Sequence, residues 1–207
     1  MFLQRKELFM KKYKTVVFDI DNTLTLLEPL LETIAFYFKC TPIKAHEAQH
    51  FSLAKTYGLT KEQEDYFWNE NEWFMHAGAQ LARERVDKIF SEYLEEDATI
   101  YILTARGPEH SNITRKWLNF NNMPYNEVFC IGKESKVAML EELQAEAIFE
   151  DNPDFFFELW DKGLFPTVDG FCIDYPYNQH APCKFRLHRD TAELMEAQEV
   201  LSDVYRR

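Results

Sequence analysis

Short apolar segments alternate with segments of helical periodicity over most of the chain. The apolar segments lie at residues 15–18, 99–103, 128–131, 147–149 and from 171 onward. Runs of this kind, rich in β-branched and aromatic residues, indicate strands that are buried on both faces of a parallel sheet. Helical spacing follows three of them, at residues 109–121, 133–143 and from 153 onward. Strands alternating with helices predict an α/β core with right-handed crossovers.

Between residues 28 and 97 no strand pattern is evident, and we predict four helices there. The first begins near Pro29, since proline suits a first helical turn. The other three are expected from Pro42 to Tyr57, after the capping residue Thr60, and from about residue 73 to residue 94. These helices are predicted to form an insertion between the first and second strands.

Two aspartates follow the first strand with one residue between them, in the string T-V-V-F-D-I-D-N-T-L-T at residues 15–25. Alternate residues of a strand share one face, so Asp19 and Asp21 can both face the carboxyl end of the sheet, where ligands bind in open α/β folds. Carboxylates at close range repel unless a cation lies between them, and Mg²⁺ prefers oxygen ligands. A polar turn at Asp21-Asn22-Thr23 is the alternative interpretation.

Later strands also end in polar residues. Thr104 ends the second strand and can donate its hydroxyl to a phosphoryl oxygen, although a threonine there can also cap a helix. Glu150 and Asp151 end the fourth apolar segment and form a second acidic cluster. Asp19, the backbone carbonyl of Asp21 and Asp151 would make a suitable Mg²⁺ set, with Glu150 bound directly or through water.

These strings, D-I-D-N-T-L-T, L-T-A-R, a lysine at the start of a helix and E-D-N-P, resemble the four motifs of the haloacid dehalogenase (HAD) superfamily of phosphohydrolases, in the same order. The resemblance implies a Rossmann-like parallel-sheet core formed by residues 1–26 and 98–207. It also implies a four-helix C1-type cap over residues 27–97. A strand ending in D-Y-P-Y-N, at residues 174–178, further resembles the 5′(3′)-deoxyribonucleotidase-like branch and its bacterial nucleotidases.

The resemblance also implies roles for individual residues. Asp19 would be the nucleophile, transiently phosphorylated, and Asp21 the general acid and base. The implied phosphate-binding residues are Thr104, Ala105, Lys136 and Lys133. Spacing favours Lys136, which opens the helix leading into the next strand, and Lys133 is the alternative. The implied metal ligands are Asp19, Asp21, Asp151 and Glu150, and the cofactor is Mg²⁺.

The net charge of the chain limits the kinds of ligand that it can be expected to bind. The chain of 207 residues carries a net charge of −12, which argues against a nucleic-acid polymer as ligand. The resemblance implies a small phosphorylated substrate, a nucleoside monophosphate, and the acidic composition means that local positive groups would have to hold it. Another phosphorylated metabolite and a catalytically silent binding module are the alternatives.

The cellular location of the protein is predicted from its apolar runs, its cysteines and its first residues. The sequence has no apolar run of membrane-spanning length, and its four cysteines form no C-x-x-C pair, so we expect a cytoplasmic protein with reduced thiols. The basic residues 1–14 lack the apolar core of a signal peptide and are expected to form an amphipathic lead-in.

Several side chains have two interpretations. Arg106 either reaches the substrate or is exposed. Asn178 and His180 either border the site or anchor a loop. The inserted region concentrates five aromatic residues that either form its core or stack on a base, namely Tyr66, Phe67, Trp68, Trp73 and Phe74. The spacing of Cys172, His180, Cys183 and His188 fits no common zinc signature.

Overall fold

A six-stranded sheet, parallel throughout, forms the centre of the protein in the computed structural model, which describes residues 11–195. The strand order is β3-β2-β1-β4-β5-β6. The strands are β1 (Tyr13–Phe18), β2 (Leu94–Thr104), β3 (Glu127–Cys130), β4 (Ala147–Glu150), β5 (Asp169–Asp174) and β6 (Phe185–His188). The expected amphipathic lead-in falls mainly on residues 1–10, which lie outside the described part of the chain.

The five apolar segments form strands as predicted, namely β1 to β5, and the predicted parallel α/β core is confirmed. The sixth, β6, is an edge strand of four residues with the sequence F-R-L-H, too short and too polar to give a strand pattern. β2 begins directly after a helix and is longer than the apolar segment. Its register against β1 shifts between Tyr13 and Thr15.

Alternate residues of β1 contribute to opposite faces of the sheet, as the pleat requires. Val16 and Phe18 belong to one apolar cluster and Val17 to the other, and all three are fully buried. On the first face Phe149 of β4 stacks between Phe18 and Phe171, with ring centroids 4.8 and 4.6 Å apart. This row of rings ties three adjacent strands together directly beneath their carboxyl ends.

Seven α-helices surround the sheet within the described residues. They are α1 (Glu28–Phe38), α2 (Leu53–Tyr57), α3 (Lys61–Gly78), α4 (Arg83–Tyr93), α5 (Ser111–Phe120), α6 (Lys136–Glu142) and α7 (Pro153–Asp161). The predicted cap at Thr60 is confirmed, because its hydroxyl accepts from the backbone amide of Gln63 and the Gln63 side-chain oxygen accepts from the backbone amide of Thr60. None of these helices is long and apolar enough to cross a membrane.

The predicted helix from Pro42 to Tyr57 is wrong in its first two thirds. A short 3-10 turn, Ala45–Glu47, and irregular backbone precede α2, which begins only at Leu53. Tertiary contacts hold this arrangement, since the Tyr57 hydroxyl donates to the Leu31 carbonyl at 2.8 Å. Propensity is a weak prior that such contacts override.

The predicted fourth helix, from about residue 73, is also wrong at its start. α3 continues to Gly78, and residues 79–82 are extended. This segment pairs with the chain that leaves β1, because the Leu26 amide donates to Gln80 and the Ala82 amide to Leu24, both at 2.9 Å. The chain therefore enters and leaves the insertion through two antiparallel linkers.

α4 packs on the sheet itself. Its residue Phe90 stacks on Phe18 with ring centroids 5.4 Å apart, and Val86 and Ile89 are buried in the same cluster. The helices α1, α2 and α3, within residues 28–78, are called the helical layer below, and residues of each of them line the same cavity as Asp19 and Asp151.

Phe149→Ala should lower the free energy of unfolding by about 3–5 kcal/mol, because it removes a fully buried ring that stacks on two others. Phe120→Ala is the matched control, since Phe120 is 87% exposed and its loss should change stability by less than about 0.5 kcal/mol. Urea unfolding followed by circular dichroism measures both. Similar losses for the two variants would contradict this account of the core.

Candidate active site

The carboxyl ends of three adjacent strands, β2, β1 and β4, form the floor of one cavity of about 620 Å³. Asp19 follows β1, Thr104 ends β2, and Asp151 follows β4, and all three line the cavity. Adjacent parallel strands present their carboxyl ends at one edge, where open α/β sheets bind ligands. Residues distant in sequence are thereby brought together, as the strand pattern predicted.

Three buried carboxylates lie together in this floor. Asp19, Glu150 and Asp151 are between 1 and 4% exposed, and their ligand-capable oxygens lie within 4.8 Å of one another. The ammonium of Lys136 donates to Asp19 Oδ1 at 2.6 Å and to Glu150 Oε2 at 2.5 Å. Lys133 is exposed and is not among the described residues that line the cavity, so the geometry favours Lys136 of the two lysines.

One ammonium does not balance three buried carboxylates. Burial and the charge of Glu150 raise the pKa of Asp19 to about 7, although Lys136 acts in the opposite direction. Burial and the charges of Glu150 and Asp19 likewise raise the pKa of Asp151 well above its ordinary value. A hard divalent cation would remove this repulsion, and the all-oxygen donor set fits Mg²⁺.

Glu150 also has a structural role, in addition to its place in the carboxylate trio. Its Oε1 accepts from the amides of Asp151 and Asn152, both at 3.0 Å, while its Oε2 accepts from Lys136. Glu150 therefore fixes the loop after β4 as well as the lysine.

The chain after β5 supports Asp151. The Tyr177 hydroxyl donates to Asp151 Oδ2 at 2.5 Å, and the Asn178 amide group donates to the Asp151 carbonyl at 2.7 Å. Of its two interpretations, Asn178 fits the loop anchor, since it is fully buried and is also held by Arg186. His180 is exposed and its ring lies against Phe157.

Asp21 is not part of the carboxylate trio and pairs with Arg106. The guanidinium donates to both Asp21 oxygens, at 2.9 and 2.6 Å, and Arg106 is only 3% exposed. Burial would raise the pKa of Asp21, but the Arg106 charge outweighs it and holds that pKa below its ordinary value. Neither interpretation from the sequence anticipated this bidentate pair. The predicted metal contact of Asp21 through its carbonyl stays a prediction.

The helical layer covers the cavity with a mixture of apolar and polar side chains. The five aromatic residues noted in the sequence separate into distinct environments. Phe67 is buried inside the layer, Trp68 and Phe74 line the cavity, and Tyr66 and Trp73 are 57 and 63% exposed. The sequence could not distinguish these cases, because the packing of α3 in the folded protein decides which of its faces meets the cavity.

Two polar features of this region were not predicted from the sequence. Arg85 is fully buried and donates to the carbonyls of Asn22 and Thr25, which join β1 to the insertion. Glu72 and His76 of α3 line the cavity wall. Burial and the nearby Arg106 charge lower the pKa of His76 to about 4. A single buried arginine gives no recognisable pattern, and the spacing of Glu72 and His76 by four residues indicates a site only together with a third ligand from a distant segment.

Without divalent cations the protein should lose stability as the pH rises from about 4 to about 7. Between the unfolded pKa of 3.8 and the folded value of about 7, Asp19 binds a proton only when folded, so deprotonation favours unfolding. Urea unfolding in chelator across this range measures the slope.

Asp151→Asn removes one repelling carboxylate and should flatten that slope, as should added Mg²⁺. Asp154→Asn changes an exposed aspartate three residues away and should leave the slope as in the wild type. Comparison between variants cancels the contribution of the histidines. Equal slopes for Asp151→Asn and the wild type would contradict the carboxylate account.

No protein-family model matches the chain, but curated relatives do. "Putative nucleotidase BH1399" of Halalkalibacterium halodurans is 27% identical over 169 residues, which cover 82% of this chain and 84% of the relative. "Nucleotidase CA_C3379" of Clostridium acetobutylicum is 26% identical over 166 residues, which cover 80% of this chain and 85% of the relative.

Solved structures share the fold. A "Putative Phosphatase from Clostridium difficile" superposes with a TM-score of 0.53 at 12% identity, over 94% of this chain and 99% of that one. A "Putative haloacid dehalogenase-like hydrolase from Bacteroides fragilis" gives 0.52 at 15% identity, over 84% of this chain and 96% of that one. The chain therefore has the haloacid dehalogenase fold and is similar to bacterial nucleotidases over about four fifths of its length, which confirms the resemblance predicted from its motifs.

Proposed function

We propose that the protein is a Mg²⁺-dependent phosphomonoesterase that acts on nucleoside monophosphates through an aspartyl-phosphate. The observation that carries this proposal is the meeting of Asp19, Lys136 and Asp151, from three separate segments, in one buried cluster beside Asp21. Relatives named as nucleotidases support the same class of reaction.

Asp19 and Asp151 would hold Mg²⁺, with Glu150 beside them, and the bound ion would offset the repulsion between Asp19 and the substrate phosphate. Lys136 stays positively charged, because the adjacent carboxylates outweigh the effect of burial and raise its pKa. It contributes a fixed positive charge next to the nucleophile. Thr104 and the amide of Ala105, which also line the cavity, supply donors to the phosphoryl oxygens.

In the first step an Asp19 oxygen attacks phosphorus opposite the leaving oxygen. The new O–P bond forms as the ester O–P bond breaks, and Asp21 gives a proton to the leaving oxygen. In the second step Asp21 takes a proton from water, which attacks phosphorus. As the new O–P bond to water forms, the O–P bond to Asp19 breaks, so orthophosphate leaves and the Asp19 carboxylate is regenerated.

Arg106 keeps Asp21 in the carboxylate form that the second step needs. The first step needs a protonated Asp21. A bound phosphate dianion would favour that form, because its charge raises the pKa of Asp21 and it competes for the Arg106 guanidinium. Arg106 thus links the protonation state of Asp21 to the presence of substrate.

The size and lining of the cavity support the proposal that the substrate is a nucleotide. A volume of about 620 Å³ is within the range of sites for small-molecule ligands. Trp68 and Phe51 line it and offer ring faces for a base. The acidic chain provides no broad positive surface, so recognition depends on these local groups.

Asp19→Asn should reduce turnover of p-nitrophenyl phosphate in Mg²⁺ to below about a thousandth of the wild-type rate, because an amide is not a competent nucleophile. Asp154→Asn is the control and should retain the wild-type rate. Circular dichroism checks that both variants fold. A near-normal rate for Asp19→Asn would refute the nucleophile assignment, and inactivity of the wild type in Mg²⁺ would refute the phosphatase.

Trp68→Ala should raise KM for a nucleoside monophosphate by about tenfold and leave KM for p-nitrophenyl phosphate much less changed, since only the nucleotide carries a base. Trp73→Ala is the matched control, because Trp73 is on the same helix but is 63% exposed and is not among the described lining residues. Equal effects on the two substrates, or a sugar phosphate preferred over all nucleotides, would contradict the proposed substrate class.

A further inference from the structure

A second cluster of metal-ligating side chains lies apart from the carboxylate trio. It consists of Glu72 and His76 of α3 together with His110, and each residue offers one ligand atom within 4.8 Å of the others. His110 ends the 3-10 turn Pro108–His110 that leads from β2 into α5. The cluster therefore joins the helical layer to the sheet-forming part of the molecule.

Local geometry explains why the three residues meet. Glu72 and His76 are four residues apart on one helix and so lie on the same face, the spacing that helical metal sites use. His110 faces them from the other side: its Nε2 lies 3.1 Å from Glu72 Oε2, and its ring meets the His76 ring edge to face at 4.7 Å.

Hydrogen bonding within the protein leaves this cluster incomplete. His76 is 6% exposed and His110 is 7% exposed, yet Nδ1 of each ring has no partner among residues 11–195. A buried polar atom without a partner costs about 1–3 kcal/mol. The contact between Glu72 and His110 satisfies only one nitrogen of one ring. Each of the two buried imidazoles thus keeps one ring nitrogen without a partner among the described residues, and His110 lies against the Glu72 carboxylate through its other nitrogen.

We propose that Glu72, His76 and His110 form a binding site for a divalent transition-metal ion of the Zn²⁺ type. Two imidazoles and one carboxylate are a common donor set for zinc, and this set leaves a fourth position open. Glu72 and His76 also line the active-site cavity. Imidazole ligands also distinguish this site from the all-oxygen trio, which suits Mg²⁺.

The surrounding charges permit a cation here. Arg106 is the nearby positive group, and its charge is offset by the bidentate pair with Asp21. A second carboxylate, Glu109, lies 3.6 Å from His110 Nε2. Two carboxylates therefore border the imidazoles.

A bound ion would link α3 to the segment before α5 and so hold the helical layer against the sheet. Because the ligands come from both parts of the molecule, binding would raise stability by mass action. This proposal is independent of the phosphatase proposal, since it concerns binding of a different ion by residues outside the carboxylate trio.

The test is titration of Co²⁺, and of Zn²⁺ by calorimetry, into the full-length protein saturated with Mg²⁺. One equivalent should bind, and the visible absorption of Co²⁺ should report nitrogen ligands. His110→Asn and Glu72→Gln should each weaken binding by at least the roughly 10–100-fold that loss of an outer-sphere partner causes. The matched controls His46→Gln and Glu70→Gln, at exposed positions, should bind as the wild type does.

Asp151→Asn separates the two clusters. Retained Co²⁺ binding in Asp151→Asn together with its loss in His110→Asn would support the proposal. Binding lost in Asp151→Asn but kept in His110→Asn would place the ion at the carboxylate trio and overturn it. No binding to the folded wild-type protein would also overturn it. Urea unfolding with and without Zn²⁺ gives a second readout, in which only proteins with the intact cluster should be stabilised.

Discussion

The repulsion among three buried carboxylates around one lysine is the constraint on which the site depends. Asp19, Glu150 and Asp151 are nearly inaccessible to solvent, and Lys136 is the cation placed among them. Taking charges out of water is costly unless they are paired, so such a cluster persists only where it is rigidly supported and completed by a cation. The molecule supports it from below with the ring stack of Phe149 and from the side with hydrogen bonds.

The residues that hold these carboxylates in place include some that have no proposed catalytic or metal-binding role. The segment after β5 contributes Tyr177 and Asn178, which hold the side chain and the backbone of Asp151. Arg186 of the edge strand β6 in turn holds Asn178. Partners of this second layer orient metal-binding carboxylates and tune their basicity. The last described strand thus acts on the cavity although it does not reach it.

The contact between the helical layer and the sheet has its own polar chemistry. Arg85 is buried beneath the linkers, and the pair of Asp21 and Arg106 lies at the cavity wall. His76 and His110 meet across the same boundary. Asp21 therefore has charged or polar neighbours on both sides of this boundary, with Arg106 in the sheet-forming part and His76 in the helical layer.

The sequence by itself determined the parallel core, the order of the motifs and the carboxylates at the strand ends. These features are local: continuous apolar runs specify buried strands, and the pleat with parallel topology brings their ends to one edge. The resemblance to a known superfamily then implied a role for each of these residues. The choice between Lys133 and Lys136 could be stated from spacing but needed the fold to be tested.

Only the tertiary structure decided the features that depend on contacts between distant segments. Linker pairing broke the helix predicted from residue 73, and contacts such as that of Tyr57 with Leu31 displaced the one predicted from Pro42. The pairing of Arg106 with Asp21 and the approach of His110 to Glu72 and His76 join segments that are distant in sequence, and neither leaves a periodic trace. Contacts between side chains that are distant in sequence depend on the tertiary fold, and local sequence patterns cannot predict them.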